Sequence, residues 1–455
     1  MRIGQFFVPA WFVVFACQPA DPPQGTDSET GASGETGASG ETGATPTTGG
    51  DETGGADETP ILERPPALSH DCVVSTPVAQ IANQHWHTDA LTVLDGAVWQ
   101  VRSDDAALSL STLAVDGTLG TSVVLDPEMY TYKDANMVAD AGHLAVAWIH
   151  TTLEGEGSLR HAVVAADGTV EVEPHDVAGV AGMWLQTPRV LPRAAGGWSV
   201  FYATANGGGG TMLRHVALAA DGAAIGAPSD VIMGGQTYGS IYPSVLATND
   251  GYVMTYSDDA GSGFEVYFVA LDENAVPKGA ARRLSRAAGE GWSAEGGFGS
   301  GGQSLLAVGD DYWAVWTESW FNNDFMDPKG EVTVHLGIFD AAGEGTRHTL
   351  GVPPEGQHDA FPVLFAFGEQ VGLMWTTGTI IFVCGGCIAD DDVKLVLIDP
   401  ATVAPASEVV THPHAPNGFV RPLPEVLGAE IVHTVDIDFH ALTQPAVGAT
   451  SCTPK

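Results

Sequence analysis

Residues 197–222 decide the fold of this chain. They read Gly-Trp-Ser-Val-Phe-Tyr at 197–202 and, after a Gly-rich turn, Leu-Arg-His-Val-Ala-Leu-Ala-Ala-Asp-Gly at 213–222. The same order occurs earlier, where a run ending in Ala-Trp at 147–148 precedes Leu-Arg-His-Ala-Val-Val-Ala-Ala-Asp-Gly at 159–168. Apolar and β-branched runs bounded by Asp-Gly and Gly-rich turns are typical of antiparallel hairpins.

This unit recurs roughly every 50 residues, and a period of that length indicates a repeat architecture. A central apolar or aromatic pair marks the middle strand of each unit. The seven pairs are Val98-Trp99, Ala147-Trp148, Phe201-Tyr202, Thr255-Tyr256, Val315-Trp316, Met374-Trp375 and Ile431-Val432. No stretch sustains the 3.6-residue period of a helix. The pattern predicts an all-β protein, a β-propeller with seven blades of four antiparallel strands; six or eight blades, or a pair of sandwiches, are the alternatives.

The two ends of the repeat region predict how the ring closes. The last unit, roughly residues 420–442, ends after a third strand expected at 436–442, so it lacks an outer strand. The run at 72–74, Cys-Val-Val, precedes the first complete unit and would supply that strand. Cys72 and Cys452 would then lie close together, which predicts a disulfide between them in an oxidising compartment.

Composition limits the kinds of partner. The 455 residues include 17 Lys and Arg against 56 Asp and Glu, a formal net charge of -39. Such a chain repels phosphate backbones, which excludes nucleic-acid binding. Its 44% apolar content is enough to bury a large core. We expect one folded domain over residues 66–455, and we expect it to be a monomer.

The first 16 residues are typical of an export signal. One positive charge, Arg2, precedes an apolar run of about 11 residues that is too short to span a bilayer. The run ends in Val-Phe-Ala-Cys at 14–17, which resembles the lipobox of bacterial lipoproteins. The resemblance implies that Cys17 becomes the lipidated N-terminus, and Gln18 after it implies sorting to the outer membrane or cell surface. An ordinary cleaved signal, with Cys17 incidental, is the alternative.

Residues 17–65 predict a disordered tether. They repeat Gly-Glu-Thr-Gly-Ala-Ser and contain almost no apolar surface to offset chain entropy. A flexible chain of about 48 residues reaches on the order of 40 Å. An acidic, Gly- and Thr-rich tether directly after a lipobox resembles those of predicted surface lipoproteins of myxobacteria, which implies a propeller held away from the membrane by its lipid anchor.

The candidate binding residues are aromatic and lie in predicted connections on one face of the ring. The connections between blades contribute Trp86, Tyr132, Trp184, Tyr238 and Trp292, and insertions in units five and six add Trp320, Phe321, Phe325 and Phe382. Aromatic rings around a pocket suit stacking against sugar or peptide, which predicts an extracellular protein or glycan as the partner. Packing between blades explains the same spacing without a ligand.

Two further patterns bear on chemistry. Cys384 and Cys387 predict a local disulfide within the unit-six insertion, because no second cysteine pair completes a zinc site. Acidic pairs such as Asp258-Asp259 lack the alternating ligands of a calcium loop. No metal or other cofactor is therefore expected, and calcium bound by these acidic turns is the alternative.

The sequence favours a binding or scaffold module over an enzyme. Residues 257–261 resemble the start of the Asp-box turn of sialidase-like propellers, but the arginine cluster and tyrosine nucleophile of that family have no clear counterparts. No phosphate loop, dinucleotide fingerprint or nucleophile elbow occurs. The alternatives are a glycosidase-like hydrolase of an extracellular polymer and a structural envelope protein.

Overall fold

A computed structural model of the protein describes most of the region after residue 58. The described ranges are 59–80, 87–103, 107–127, 135–151, 157–180, 186–205, 211–233, 243–259, 264–285, 292–295, 304–320, 332–381, 387–413, 420–437 and 446–455. They form seven antiparallel sheets arranged as a ring, which confirms the seven-bladed β-propeller.

The strands are numbered along the chain, and each sheet is one blade. After strand β1 (His70–Gln80), blade 1 comprises β2 (His87–Leu94), β3 (Ala97–Ser103), β4 (Leu108–Leu113) and β5 (Leu119–Asp126). Blade 2 comprises β6 (Ala135–Asp140), β7 (His143–Thr151), β8 (Gly157–Ala165) and β9 (Val170–Val180). Blade 3 comprises β10 (Gln186–Pro192), β11 (Trp198–Ala205), β12 (Thr211–Leu218) and β13 (Ser229–Met233). Blade 4 comprises β14 (Ser244–Thr248), β15 (Gly251–Asp259), β16 (Phe264–Leu271) and β17 (Arg282–Arg283).

Blades 5 and 6 each contain one additional short strand. Blade 5 comprises β18 (Trp292–Glu295), β19 (Ser304–Val308), β20 (Asp311–Trp320), β21 (Thr333–Phe339) and β22 (Gly345–Thr349). Blade 6 comprises β23 (His358–Phe367), β24 (Gln370–Ile381), β25 (Cys387–Asp399), β26 (Ala404–Pro405) and β27 (Val410–His412). Blade 7 comprises β28 (Val420–Leu427), β29 (Glu430–Ile437) and β30 (Ala446–Pro454), together with β1.

The first strands of the blades form the inner ring, where each one contacts the first strand of the next blade. Side chains bridge these strands by hydrogen bonds to backbone groups. Asn136 Oδ1 accepts from the Val190 amide at 3.0 Å, and Ser304 Oγ accepts from the Leu364 amide at 3.0 Å. These bonds satisfy backbone donors that a purely apolar interface would leave unpaired.

The core is divided among the interfaces between blades. One apolar cluster lies in each of the seven interfaces, including the one between blades 7 and 1. Successive residues of a strand point to opposite faces of the sheet, so two residues three positions apart face different neighbouring blades. Trp313 packs toward blade 6, and Trp316 packs toward blade 4. Burial on both sheet faces explains why the middle strands read as apolar runs.

Ring closure follows the predicted scheme. Strand β1 pairs with β30 as the outer strand of blade 7, and Cys72 and Cys452 lie opposite each other and form a disulfide. The predicted position of the third strand was wrong, because Asp436 and Ile437 end β29 and the third strand is Ala446–Pro454. The true strand contains Ala, Gly and Pro, which are depleted in strands, so its strand signal is weaker than that of 436–442.

An N-terminal strap, residues 59–69, crosses the outer edges of blades 5 and 6 before β1. Its 3-10 turn, Ile61–Glu63, buries Ile61 in the core between these blades, and the Leu62 amide donates to the Leu350 carbonyl at 2.9 Å. Farther along, the Ala67 and Ser69 amides donate to the carbonyls of Pro405 and Ala406. Ile61 thus packs on the propeller although it lies within the range that composition assigned to the tether.

The recurring Asp at the end of the third strand forms a turn. In six blades its carboxylate accepts a hydrogen bond from the backbone amide two residues later, as between Asp167 and Thr169 at 2.8 Å. This bond lowers the pKa of Asp167. Gly168 follows with a φ of 89°, and a side chain there would strike Thr121 of blade 1. The Asp-Gly repeats in the sequence are therefore turns that pack against the preceding blade.

Candidate functional site

The candidate face, called the upper face here, carries the connections between second and third strands and those between blades. Blade 6 extends farthest on this side within the described residues. Its second strand, β24, has 12 residues, against 9 in the equivalent β15 of blade 4. Three additional residues lengthen a strand by about 10 Å. Pairing continues to Ile381 and Cys387, with one register shift between Thr377 and Thr379, so the β24–β25 hairpin projects as a paired ladder.

The neighbouring blade 5 has a divided inner strand. Strand β19 pairs with the first half of β20, and β18 pairs with its second half. Residues 296–303 are inserted between β18 and β19. Trp292 and Trp320, both expected in connections, instead occupy strands and lie opposite each other in the backbone ladder. Blades 5 and 6 therefore both depart from the standard blade near the upper face.

The other predicted aromatic residues lie outside the described residues: Trp86, Tyr132, Trp184, Tyr238, Phe321, Phe325 and Phe382. Cys17 and Cys384 also lie outside them. Cys387 begins β25.

Beneath the upper face, one aromatic residue recurs in the second strand and packs against the preceding blade. This position holds Trp148, Tyr202, Tyr256, Trp316 and Trp375 in blades 2 to 6. A buried indole N–H needs an acceptor, and the protein supplies a carboxylate for each of the three tryptophans.

Asp126, at the end of blade 1, is the acceptor for Trp148 of blade 2. Its Oδ2 lies 3.0 Å from Trp148 Nε1, 2.8 Å from His150 Nδ1 and 3.1 Å from Arg160 Nη1. The Asp126 side chain is 1% exposed, so these contacts compensate its lost hydration. Arg160 also binds Asp176 at 2.8 Å, but that carboxylate is 59% exposed.

Glu318 performs the same role within blade 5. Its Oε1 accepts from Trp316 Nε1 at 2.9 Å, and its Oε2 accepts from Arg347 Nη2 at 2.7 Å. The Arg347 guanidinium also lies over the Trp316 ring, 5.7 Å from the centroid, and His335 stacks on that ring. The buried carboxylate is thus neutralised by a cation that packs on the same indole.

Asp359 is the acceptor in blade 6. Its Oδ1 accepts from Trp375 Nε1 at 3.2 Å and from Thr377 Oγ1 at 2.6 Å. Burial raises the pKa of Asp359, and these two hydrogen bonds oppose that shift. The group is an acceptor held within the interface between blades 5 and 6.

Blade 4 brings two carboxylates together. Asp258 and Glu265 lie directly opposite each other on β15 and β16. Glu265 is buried, accepts a short hydrogen bond from Ser285 and lies 3.6 Å from Arg283. Burial and the nearby charge of Asp258 raise the pKa of Tyr256, which stacks on Tyr267 with centroids 5.5 Å apart. Glu265 is therefore held by partners within its own blade.

Sequence reasoning missed these carboxylate clusters. Glu318 follows Trp316 by two residues on one strand face, a signal that alternation alone provides. Asp126 and Trp148 meet only because neighbouring blades pack together. Within the described ranges, no group of three or more His, Cys, Asp or Glu side chains is placed to hold a metal ion.

Comparison with known proteins adds no family. No family model matches the chain, and no curated protein matches it. A solved protein of unknown function from Dyadobacter fermentans is 11% identical, with a TM-score of 0.47 over 84% of this chain and 99% of its own. The WD40 domain of Toxoplasma gondii coronin is 10% identical, with a TM-score of 0.44 over 86% and 88%. A thermostable family-43 glycoside hydrolase is 12% identical, with a TM-score of 0.37 over 61% and 96%. Likenesses this distant support no statement about function.

Proposed function

We propose that this protein is a lipid-anchored extracytoplasmic β-propeller that binds an extracellular protein or glycan through the upper face of blades 5 and 6. The projecting β24–β25 hairpin carries the proposal, because it places additional chain on the side where the blade connections emerge. Adjacent to it, the inner strand of blade 5 is divided into β18 and β19, which both pair with β20. The remaining blades supply a stiff support.

Export is supported by the closing disulfide. Cys72 and Cys452 are bonded across the closure of the ring, and such bonds persist in oxidising compartments. The lipobox-like end at Cys17 supplies the anchor in this proposal. No helix among the described residues is long and apolar enough to cross a membrane.

The carboxylate clusters favour binding over glycoside hydrolysis. Hydrolysis needs two carboxylates that reach a sugar, one as acid and one as base or nucleophile. Asp126, Glu318 and Asp359 are buried and accept hydrogen bonds from tryptophans of the propeller itself. They stabilise the interfaces between blades.

The charge distribution indicates which chemical features a partner would need. Seven cations of the described ranges form ion pairs with carboxylates of the same chain: Arg160, Arg214, Lys278, Arg282, Arg283, Arg347 and Lys455. The acidic excess is thus left to the surface, and a partner protein would offer basic residues to it. A neutral glycan would instead use the aromatic residues predicted for this face.

Shortening the blade 6 hairpin tests the proposal. Thr379 and Ala389 are directly paired, so replacing residues 380–388 with Asn-Gly gives a two-residue hairpin turn without disturbing the ladder below. We expect this variant to keep its thermal unfolding midpoint and to lose at least tenfold in affinity for partners found on glycan and protein-fragment arrays.

A matched control shortens the equivalent turn of blade 4. Asp259 and Phe264 are directly paired, so replacing residues 260–263 with Asn-Gly introduces the same two-residue turn two blades away. This control should bind as the natural protein does. Unchanged affinity in the blade 6 variant, or equal loss in the control, would exclude the hairpin as the contact.

A further inference from the structure

Two buried histidines meet in the interface between blades 6 and 7. His412 ends β27 of blade 6, and His433 lies on β29 of blade 7, with ring centroids 4.6 Å apart. Both side chains are 0% exposed. His412 Nε2 contacts Thr450 Oγ1 at 2.6 Å, whereas His412 Nδ1 and both nitrogens of His433 have no hydrogen-bond partner in the described structure.

The surroundings of this pair are apolar. Val410, Ile431 and Cys452 belong to the same buried cluster. The charged groups on the adjoining strands interact with residues other than the two histidines. Lys394 of β25 lowers the pKa of Asp359 through its charge, and Asp71 of β1 forms an ion pair with Lys455. Glu430 of β29 accepts a hydrogen bond from Ser75, and Glu425 of β28 shares a strand face with Leu423 and Leu427, which pack toward blade 1. The described residues thus place no carboxylate against either ring to stabilise an imidazolium.

We propose that this interface is an acid-labile seam, at which protonation of His412 and His433 separates blade 6 from blade 7. Two charges in adjoining rings, buried without anions, repel each other and lack hydration. The element that must move is small, because β27 has only three residues and pairs only with β25 in the sheet. Short edge elements of this kind open at lower free energy than central strands.

The direction of the pH effect follows from linkage. Burial lowers the pKa of His412 from 6.5 to about 4, and burial together with the neighbouring His412 lowers the pKa of His433 to about 3. The open state therefore binds more protons as the pH falls below 6.5, and opening becomes steadily more favourable down to about pH 4. At pH 4.5 the His412 shift alone favours opening roughly 80-fold.

Other interfaces contain single buried rings and are expected to hold longer. His161, between blades 2 and 3, has its centroid 5.8 Å from that of His175, whose nitrogens contact the Glu173 and Gly222 carbonyls at 2.9 Å. His215, between blades 3 and 4, contacts Ser199 Oγ at 2.9 Å. Neither interface joins two fully buried imidazole rings.

The closing disulfide reports on the seam. Cys452 is 1% exposed and lies in the same apolar cluster as Ile431 and Val410, and Cys72 is partly buried against that cluster, so a reductant reaches the bond more readily when blade 6 moves away. Opening at acid pH should therefore accelerate reduction of the Cys72–Cys452 bond.

The test measures reduction of this bond in the full chain by a phosphine at pH 7.5 and pH 4.5. Rates are divided by those for oxidised glutathione at the same pH, and the released thiols are assigned by peptide mass spectrometry. The natural protein should react at least tenfold faster at pH 4.5, whereas the double variant His412→Phe/His433→Phe, which has neither titrating ring, should show less than about a threefold change. His161→Phe, the matched control in another interface, should retain the acceleration.

Three results would overturn the proposal: equal normalised rates at the two pH values in the natural protein, full acceleration in the double variant His412→Phe/His433→Phe, or suppression by His161→Phe as strong as by that double variant. The last result would indicate global unfolding. Near-ultraviolet circular dichroism at pH 7.5 checks folding of each variant. The double variant His412→Gln/His433→Gln, whose side chains are neutral at both pH values and close to histidine in size, replaces the phenylalanine variant if that one does not fold.

Discussion

Arg160 shows at the scale of single residues how burial decides what an ion pair contributes. The same guanidinium binds Asp126, which is 1% exposed, and Asp176, which is 59% exposed. Exposed pairs contribute little because water and salt screen them. Loss of the buried carboxylate removes the acceptor of the Trp148 indole N–H and leaves Arg160 only its exposed partner, in the interface between blades 1 and 2.

We therefore expect Asp126→Asn to lower the free energy of unfolding by about 3 kcal/mol, and Asp176→Asn to change it by less than about 1 kcal/mol. Urea unfolding at pH 7 measures both values, and the two substitutions are chemically identical. Equal losses would show that the stacking of the blades does not depend on the Asp126 cluster.

These residue-level features were the least accessible from sequence. The buried positions of Trp148 and Trp316 follow from strand patterns, since apolar alternation is local. Their acceptors do not, because Asp126 reaches Trp148 from another blade, 22 positions earlier in the chain. Buried pairs such as His412 and His433 arise likewise from packing between blades.

The N-terminal strap is the element whose role was least expected. Ile61 is 0% exposed and fills a gap among Leu350, Leu364 and their neighbours, so the strap joins blades 5 and 6 from the outside. Composition placed the first part of the strap, residues 59–65, in the tether because it directly follows an acidic, Gly- and Thr-rich segment.

Ile61→Ala should lower the free energy of unfolding by about 3 kcal/mol through lost burial and the cavity left behind. The control is Val352→Ala, since Val352 is 66% exposed and its truncation should have an effect below about 0.5 kcal/mol. Calorimetry or urea unfolding of the full chain checks both. A negligible effect of Ile61→Ala would mean that the strap only rests on the propeller.

Among the elements, strands with strong local patterns were predicted and irregular ones were not. The middle strands and the Asp-Gly turns follow from local chemistry. The third strand of blade 7 was placed too early, because Ala446–Pro454 is a buried strand of small residues. The division of blade 5 into β18 and β19 has no signature that period-two alternation could reveal.

At the scale of the whole molecule, the main feature is that the N-terminal strand and the last strands join to close the ring. The N-terminal strand completes the last blade, and the disulfide between Cys72 and Cys452 spans 380 residues of sequence. The sequence predicted both features because a repeat that lacks one strand at its end must find that strand elsewhere. The upper-face contacts remain a prediction, since the relevant aromatic side chains lie outside the described residues.

Removal of this bond should destabilise the whole propeller. In the chain-entropy model, a cross-link over so long a loop contributes on the order of 5 kcal/mol. The double variant Cys72→Ser and Cys452→Ser should therefore unfold at markedly lower urea concentration than the natural protein. A control with Cys384→Ser and Cys387→Ser addresses a predicted local loop and should lose less. Equal losses would contradict the role assigned to ring closure.

Peptide mapping, without reduction, of the protein isolated from the membrane fraction of cells that produce it tests anchoring and ring closure most directly. We predict an acylated N-terminal peptide beginning at Cys17 and one cross-linked peptide pair containing Cys72 and Cys452. Free thiols at Cys72 and Cys452, or an unprocessed and unacylated N-terminus, would contradict an exported, lipid-anchored propeller closed by its own ends.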